Sequence, residues 1–263
     1  MIKELLQEYT PKNKTEAESA LREIMQEVAL AGLQRAGFFE KAAFYGGSAL
    51  RIFYGLSRYS EDLDFSLLEI NPTFSLEPYF DGIIGEFEAV GMKVTIKEKK
   101  LILDGIIPQA GVQASPGIKI KLEVDREPPL GFETEEKLLL RPFSFYVKCF
   151  TLSSLFAGKV HALLFRKWGT RVKGRDWYDL EWYIKNGVPL DLHHFLLRAQ
   201  DTGDWKEDTI TQDQLIQLLS AKIDSVSFDG IREDIIRFIP DESVLDIWSR
   251  QYFKDLVGKL KFK

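Results

Sequence analysis

Two acids separated by a single residue, Asp62 and Asp64, follow shortly after a Gly46-Gly47-Ser48 turn. They sit in Ser60-Glu61-Asp62-Leu63-Asp64-Phe65, where Leu63 and Phe65 supply the alternation of a half-buried strand. Side chains two apart on a strand face the same way, about 6–7 Å from each other. Asp62 and Asp64 therefore serve one spot while Leu63 turns into the core. Hard oxygen donors at that spacing suit Mg2+ (or Mn2+), which proteins hold with a few carboxylates and the phosphates of a substrate. The glycines ahead of them let backbone approach a ligand closely. A turn that opens a helix also offers free N–H groups and the positive end of the helix dipole to a phosphate. Asp-x-Asp alone is common on solvated strand edges, and Gly-Gly-Ser alone is common in turns. In succession they offer a phosphate cradle and a metal clamp, which is most of what phosphoryl and nucleotidyl transfer require.

A second constellation is basic. From Lys159 to Arg175 the chain carries Lys159, Arg166, Lys167, Arg171, Lys173 and Arg175 and no acid; Asp176 and Asp179 follow. Lysine meets phosphate as a point charge and arginine can meet it bidentately. On composition alone, a surface helix with solvated cations and an acidic first turn is the better explanation of the block. A third acid is sought on a neighbouring strand. In residues 118–125, Ile118, Ile120, Leu122 and Val124 share one face and Lys119, Lys121, Glu123 and Asp125 the other, so Glu123 and Asp125 are both candidates. Arg51 and Arg58 can pair with Asp62, Glu61 or a substrate phosphate, or form structural ion pairs. His161 and His193-His194 lack metal-ligand spacing and are read as structural. Trp168, Trp177, Tyr178, Trp182 and Tyr183 can stack bases, although aromatics at helical spacing are more often core.

The elements that must position these groups follow from periodicity and punctuation. Residues 1–14 read as polar and loose. A helix runs from Thr15 to Gly37, a buried strand spans Ala42 to Tyr45, and Ser48 is placed to cap a helix from Ala49 to Tyr54. The acid-bearing strand spans Leu63 to Leu67, and a helix covers Leu76 to Val90. Strands follow at 92–97, 100–107 and 118–125. After Val147 the pattern turns helical, with helices at 153–168 and 176–185 and three or four more beyond residue 191. The expected fold is α/β (α+β): a small mixed sheet of about five strands in residues 1–145, with its N-terminal helix, and a helical C-terminal domain in residues 146–263.

Composition bounds the rest. The 263 residues are 45% hydrophobic and 13% aromatic, enough for a substantial core. The net charge of −5 excludes a generic nucleic-acid coat, so a polyanionic partner must meet a local patch. The single cysteine, Cys149, excludes an intrachain disulfide and a thiolate zinc site, and fits a reduced, cytoplasmic setting. No leader and no membrane span are expected.

Gly-Ser followed by Asp-x-Asp resembles the DNA polymerase β-type nucleotidyltransferase superfamily. The longer runs Gly37-Phe38-Phe39, Phe44-Tyr45-Gly46-Gly47-Ser48-Ala49-Leu50-Arg51 and Arg58-Tyr59-Ser60-Glu61-Asp62-Leu63-Asp64-Phe65 closely resemble the AbiEii family, which supplies toxins of type IV toxin–antitoxin systems. The likeness extends through Lys159 to Leu180. It implies a polymerase β-like nucleotidyltransferase core and transfer of a nucleotide from a nucleoside triphosphate. Asp62, Asp64 and a third acid would hold the metal. The family pattern matches Lys121-Leu122-Glu123 and so favours Glu123 over Asp125. It also implies that Lys159 and Asp176 take part in catalysis and that Lys159 and Arg175 bind the nucleotide; Gly46, Gly47 and Ser48, from the chemistry of the turn, and Arg166, from the basic block, are the further nucleotide-binding candidates. The acceptor expected from the resemblance is RNA, with the 3′ end of tRNA foremost. The expected antitoxin is encoded separately and makes no stable complex. Transfer to a protein hydroxyl, or a nucleotide sensor without catalysis, are the alternatives.

Overall fold

The computed structural model describes residues 2–97, 100–103, 118–166 and 173–263. The chain divides into two compact units, the first comprising Met1–Gly55, Tyr59–Pro128 and Thr134–Cys149, and the second Leu56–Arg58, Pro129–Glu133 and Phe150–Lys263.

The first unit holds helices α1 (Ile2–Tyr9), α2 (Lys14–Arg35), α3 (Gly46–Tyr54) and α4 (Phe80–Ala89), with strands β1 (Ala42–Tyr45), β2 (Leu63–Leu67), β3 (Val94–Lys97), β4 (Lys100–Leu103), β5 (Lys119–Asp125), β6 (Thr134–Leu139) and nearly all of β7 (Phe145–Phe150). Among the described residues the strands form one seven-stranded mixed sheet in the order β3-β4-β5-β2-β1-β7-β6, wider than the five strands expected. At its centre β1 runs antiparallel to β2 and parallel to β7, while β2 runs parallel to β5. Register places Phe44 opposite Phe65 and Leu63 opposite Leu122, so one face of the sheet is apolar. Phe38 packs edge-on against Phe65 at 4.9 Å and Tyr79 at 5.1 Å, a geometry that complements the quadrupoles of the rings.

α2 is buried along most of its length. Asn13 caps it by accepting the N–H of Glu16 at 2.9 Å. It crosses α4 at a glycine pair, where a Cβ on Gly32 would lie 2.5 Å from the Cα of Ile83, so a single methyl would force the helices apart.

Three local expectations are corrected. Residues 2–9 form α1 rather than a loose tail, because Leu5 and Leu6 are buried and Tyr9 donates to Glu23 at 3.1 Å. The helix after the glycines begins at Gly46, so Ser48 lies inside its first turn and does not cap it. Residues 134–150 form a strand pair before the helices start. Of the strand expected at 100–107, β4 covers Lys100–Leu103; residues 104–107 lie outside the described residues. β6 ends the sheet order among the described residues, with Leu138 and Leu140 exposed beside it.

The second unit is helical: α5 (Leu152–Phe165), α6 (Gly174–Lys185), α7 (Leu192–Asp201), α8 (Gln212–Ser225), α9 (Phe228–Ile235) and α10 (Arg250–Val257), with a two-residue parallel pair of β8 (Pro189–Leu190) and β9 (Lys261–Phe262). Its core is aromatic. Trp177 meets Phe253 edge-on at 5.2 Å, and Phe156 stacks on Tyr183 at 4.3 Å. Trp177, Tyr178 and Tyr183 are thus core residues rather than a base-stacking platform, and Trp168 lies outside the described residues. Among the described residues, no helix is long and apolar enough to cross a membrane.

Candidate active site

β2 buries Leu63, Phe65 and Leu67 on the apolar face, which turns Asp64 to the other side. Asp62, two residues earlier, leads into the strand, and both acids are half-buried. β5 lies beside β2 with Asp64 opposite Glu123 and Ser66 opposite Asp125. Glu123 is therefore the direct cross-strand neighbour of Asp64. Asp125 lies one step further along and accepts the N–H of Glu127 at 3.3 Å.

Lys121 shares this face. Its ammonium pairs with Glu123 and is held above the usual lysine range by that hydrogen bond first, then by the charges of Glu123, Asp62 and Asp64, against a small loss of hydration. Asp62, Asp64, Glu123 and Lys121 thus form one electrostatic group. Among the described residues, no set of three or more His, Cys, Asp or Glu is arranged to hold a metal ion. The acids share a face without closing into a cage.

The glycine turn is built against these acids. β1 pairs with β2 so that Tyr45 lies opposite Asp64, and α3 starts at the next residue. Gly46 has φ +84°, and a Cβ there would lie 2.6 Å from an Asp64 carboxylate oxygen. Conformation and space both demand glycine. Tyr45, at the N-cap, makes no side-chain capping bond to the first turn of α3.

Ser48 is fully buried, and its hydroxyl donates to the carbonyl of Asp62. Gln26 of α2 reaches the same place, donating to the Ser48 hydroxyl at 3.4 Å and to the Ser60 carbonyl at 3.2 Å. Arg51 points to Glu23 at 2.7 Å and lies 4.5 Å over the ring of Tyr59. Neither Gln26 nor Glu23 is signalled by the sequence, since both are polar residues on a long helix whose partners lie far along the chain.

In the second unit, α5 and α6 gather charge. Arg58 grips Asp179 through two bonds of 2.6 Å, with both side chains almost fully buried. Burial opposes both charges, and pairing overcomes it. The Arg58 pKa is raised by Asp179, and that of Asp179 is lowered by Arg58 and Lys159. Lys159 lies 2.9 Å from both Asp176 and Asp179. Lys173 is pushed down, first by burial and then by the positive charges of Arg175, Lys159 and Arg166, with Asp176 opposing. Lys159 and Asp176 are thereby in direct contact, and Lys173 lies within electrostatic reach of that pair, of Arg175 and of Arg166. Arg175 lies 4.2 Å over the ring of Phe238, and Arg166 is exposed at the end of α5. Lys167 and Arg171 lie outside the described residues. His161 contacts Thr202 at 3.1 Å and Asp204 at 3.3 Å, and His194 is fully buried.

Comparison with known proteins gives this geometry a lineage. The family model described as "Nucleotidyl transferase AbiEii toxin, Type IV TA system" matches residues 28–258. In fold, the chain is similar to MenT4, a nucleotidyltransferase toxin of Mycobacterium tuberculosis H37Rv, at a TM-score of 0.56 and 16% identity over 99% of each chain. JHP933 from Helicobacter pylori aligns over 91% of this chain and 88% of its own, at 17% identity and a TM-score of 0.47. No curated protein sequence matches. The strand-borne acids, the glycine turn that abuts them and a family match across most of the chain lead to one conclusion: the protein belongs to the AbiEii family of type IV toxin–antitoxin systems and is a nucleotidyltransferase.

Proposed function

We propose that this nucleotidyltransferase toxin moves a nucleoside monophosphate from a nucleoside triphosphate to RNA, the 3′ end of tRNA being the expected acceptor: the acceptor hydroxyl attacks the α-phosphate, the bond from the α- to the β-phosphate breaks, and pyrophosphate leaves. The observation that carries the reading is the placement of Asp64, opposite Glu123 on a neighbouring strand and pressed against Gly46. The donor set fits Mg2+, because Asp62 and Asp64 offer hard oxygens and Mg2+ usually takes one or two carboxylates, with substrate phosphates completing its shell. Such an ion, when bound, neutralises charge on the phosphates and on the acids together.

The chain's own residues do the positioning. The first-turn amides of α3 at Gly46, Gly47 and Ser48 donate to phosphate oxygens, favoured by the helix dipole. Asp62 and Asp64 would hold the ion. Glu123, which pairs with Lys121, would serve as a third ligand or as the base for the attacking hydroxyl. Within the second unit, Asp176 holds the Lys159 ammonium, and the family likeness marks Lys159 and Arg175 as phosphate-binding candidates, with Arg166 a further candidate from the same basic block. An exposed cation such as Arg166 contacts phosphate most strongly at low salt. The antitoxin is expected to act without a stable complex.

The test is incubation of the protein with each labelled triphosphate, Mg2+ and either total tRNA or cell protein. Label on tRNA that disappears with Asp64→Ala supports the reading. Label on protein alone replaces the acceptor, and no transfer to either with any triphosphate removes the reading.

A further inference from the structure

The buried hydroxyl of Ser48 and the carboxamide of Gln26 converge on the backbone that carries Asp62. Ser48 has no exposed surface, and its hydroxyl is spent on the carbonyl of Asp62. Gln26 is 1% exposed and divides its amide between the Ser48 hydroxyl, at 3.4 Å, and the Ser60 carbonyl, at 3.2 Å. The segment so held, residues 60–62, leads directly into β2. The donors Ser48 and Gln26 are buried, and a buried polar group left without its partner costs about 1–3 kcal/mol, so both side chains are held to these carbonyls. The serine in turn rides on α3, whose first residue abuts Asp64.

We infer that Ser48 and Gln26 are positioning residues for the transfer reaction: they tie the Asp62 backbone to α3 and α2 and so fix the separation between the metal-binding acids and the phosphate-binding turn. On this inference the Ser48 side chain does not touch the nucleotide, and its contribution to phosphate binding is confined to its backbone N–H. The inference rests on the proposed role of Asp62 and Asp64. It adds that a glutamine on the helix before the glycine motif belongs to the machinery.

The test uses the full chain with Ser48→Ala, Ser48→Thr, Gln26→Leu and the double variant Ser48→Ala/Gln26→Leu, alongside Asp64→Ala. Three readouts are taken: thermal midpoint, steady-state kinetics of transfer, and Mn2+ affinity by electron paramagnetic resonance in the presence of a non-hydrolysable ATP analogue. Misplacing a reacting group by about 1 Å can cost on the order of a hundredfold in rate. Ser48→Ala is expected to lower kcat by about that factor with KM for the triphosphate within about twofold, and to weaken Mn2+ about tenfold. Ser48→Thr, which keeps the hydroxyl, restores most of both. Gln26→Leu shows a smaller loss in the same direction, and the double variant is little worse than Ser48→Ala, because the two residues act in series.

A folded Ser48→Ala with unchanged kcat and Mn2+ affinity would overturn the inference, as would a rise in KM at constant kcat, which marks direct nucleotide binding. If Ser48→Ala does not fold, Gln26→Leu decides by the same criteria. Wild-type activity in Asp64→Ala removes the role of the acids and this inference with it. Inactivity in Asp64→Ala beside a fully active Ser48→Ala removes the inference alone.

Discussion

The two units treat charge in opposite ways. In the first, Asp62 and Asp64 lie half-buried on a strand face beside the exposed Lys121–Glu123 pair. In the second, Arg58, Asp179, Lys159 and Asp176 are packed into a nearly closed network in which the arginine and its carboxylate are sealed from water. Half-hydrated acids give up their shell cheaply to a cation, so the first arrangement suits a site that binds and releases. Buried pairs are costly to separate, so the second suits a framework that keeps Lys159 and its neighbours in one conformation.

The largest effect expected of this contrast is catalytic and falls in the first unit. Asp64→Ala should reduce transfer by about a thousandfold or more, roughly 4 kcal/mol of barrier, with little change in thermal midpoint. A midpoint that fell with activity would place Asp64 in the framework class instead. Next comes Asp179→Ala, which strands the Arg58 guanidinium in the core and should cost about 3–4 kcal/mol in denaturant unfolding. The apolar pair Arg58→Met/Asp179→Leu should recover much of that loss. If Asp179→Ala unfolds like the wild type, the sealed network is no framework. Gly46→Ala is smaller again. The strained φ should cost about 1–2 kcal/mol of stability, and displacement of Asp64 should reduce activity further than that destabilisation accounts for, measured side by side with Asp64→Ala.

The smallest effect is a difference in pH response. Glu27 of α2 is pushed up to about 7, chiefly by burial, with Arg141 opposing. Its folded value lies above the ordinary carboxylate range, so below pH 7 the folded first unit takes up a proton that the unfolded chain refuses until near pH 4.5, and stability rises as pH falls across that window. In the second unit, burial and the charge on Arg198 push His161 down to about 4 and His194 to about 3. Both lie below the unfolded value of about 6.5. Between about pH 6.5 and 4 the unfolded chain gains protons that the folded unit rejects, and stability falls. Hydrogen-exchange protection in α2 should therefore rise by ~1 kcal/mol from pH 7 to 5 while that in α7 falls by a similar amount. Parallel changes in the two helices would break the contrast.

Much of the first unit is legible in the sequence because its signals are local. The glycine turn, the acids and the alternation of β5 lie in short runs, and the face carrying Glu123 follows from period two alone. That Glu123 rather than Asp125 stands next to Asp64 is set by pairing between β2 and β5, which no local pattern encodes. Gln26 is hidden for the same reason: its partners lie 22 and 34 residues away. Arg58 and Asp179 are 121 residues apart, and nothing in either segment announces a buried pair. The β6–β7 pair is missed for another cause. Glu135-Glu136-Lys137 followed by Leu138-Leu139-Leu140 groups like with like, and Tyr146 puts an aromatic ring where alternation calls for a polar residue.

The position of β6 carries a consequence for handling the protein. A terminal strand beside uncovered leucines is where one molecule can add itself to the sheet of another. Glu136 and the ion-paired Glu135 and Lys137 interrupt that surface. Colloidal behaviour at high concentration should thus be governed by these three side chains far more than by the overall charge, and neutralising them would turn a tolerated margin into a seed for fibrous precipitation.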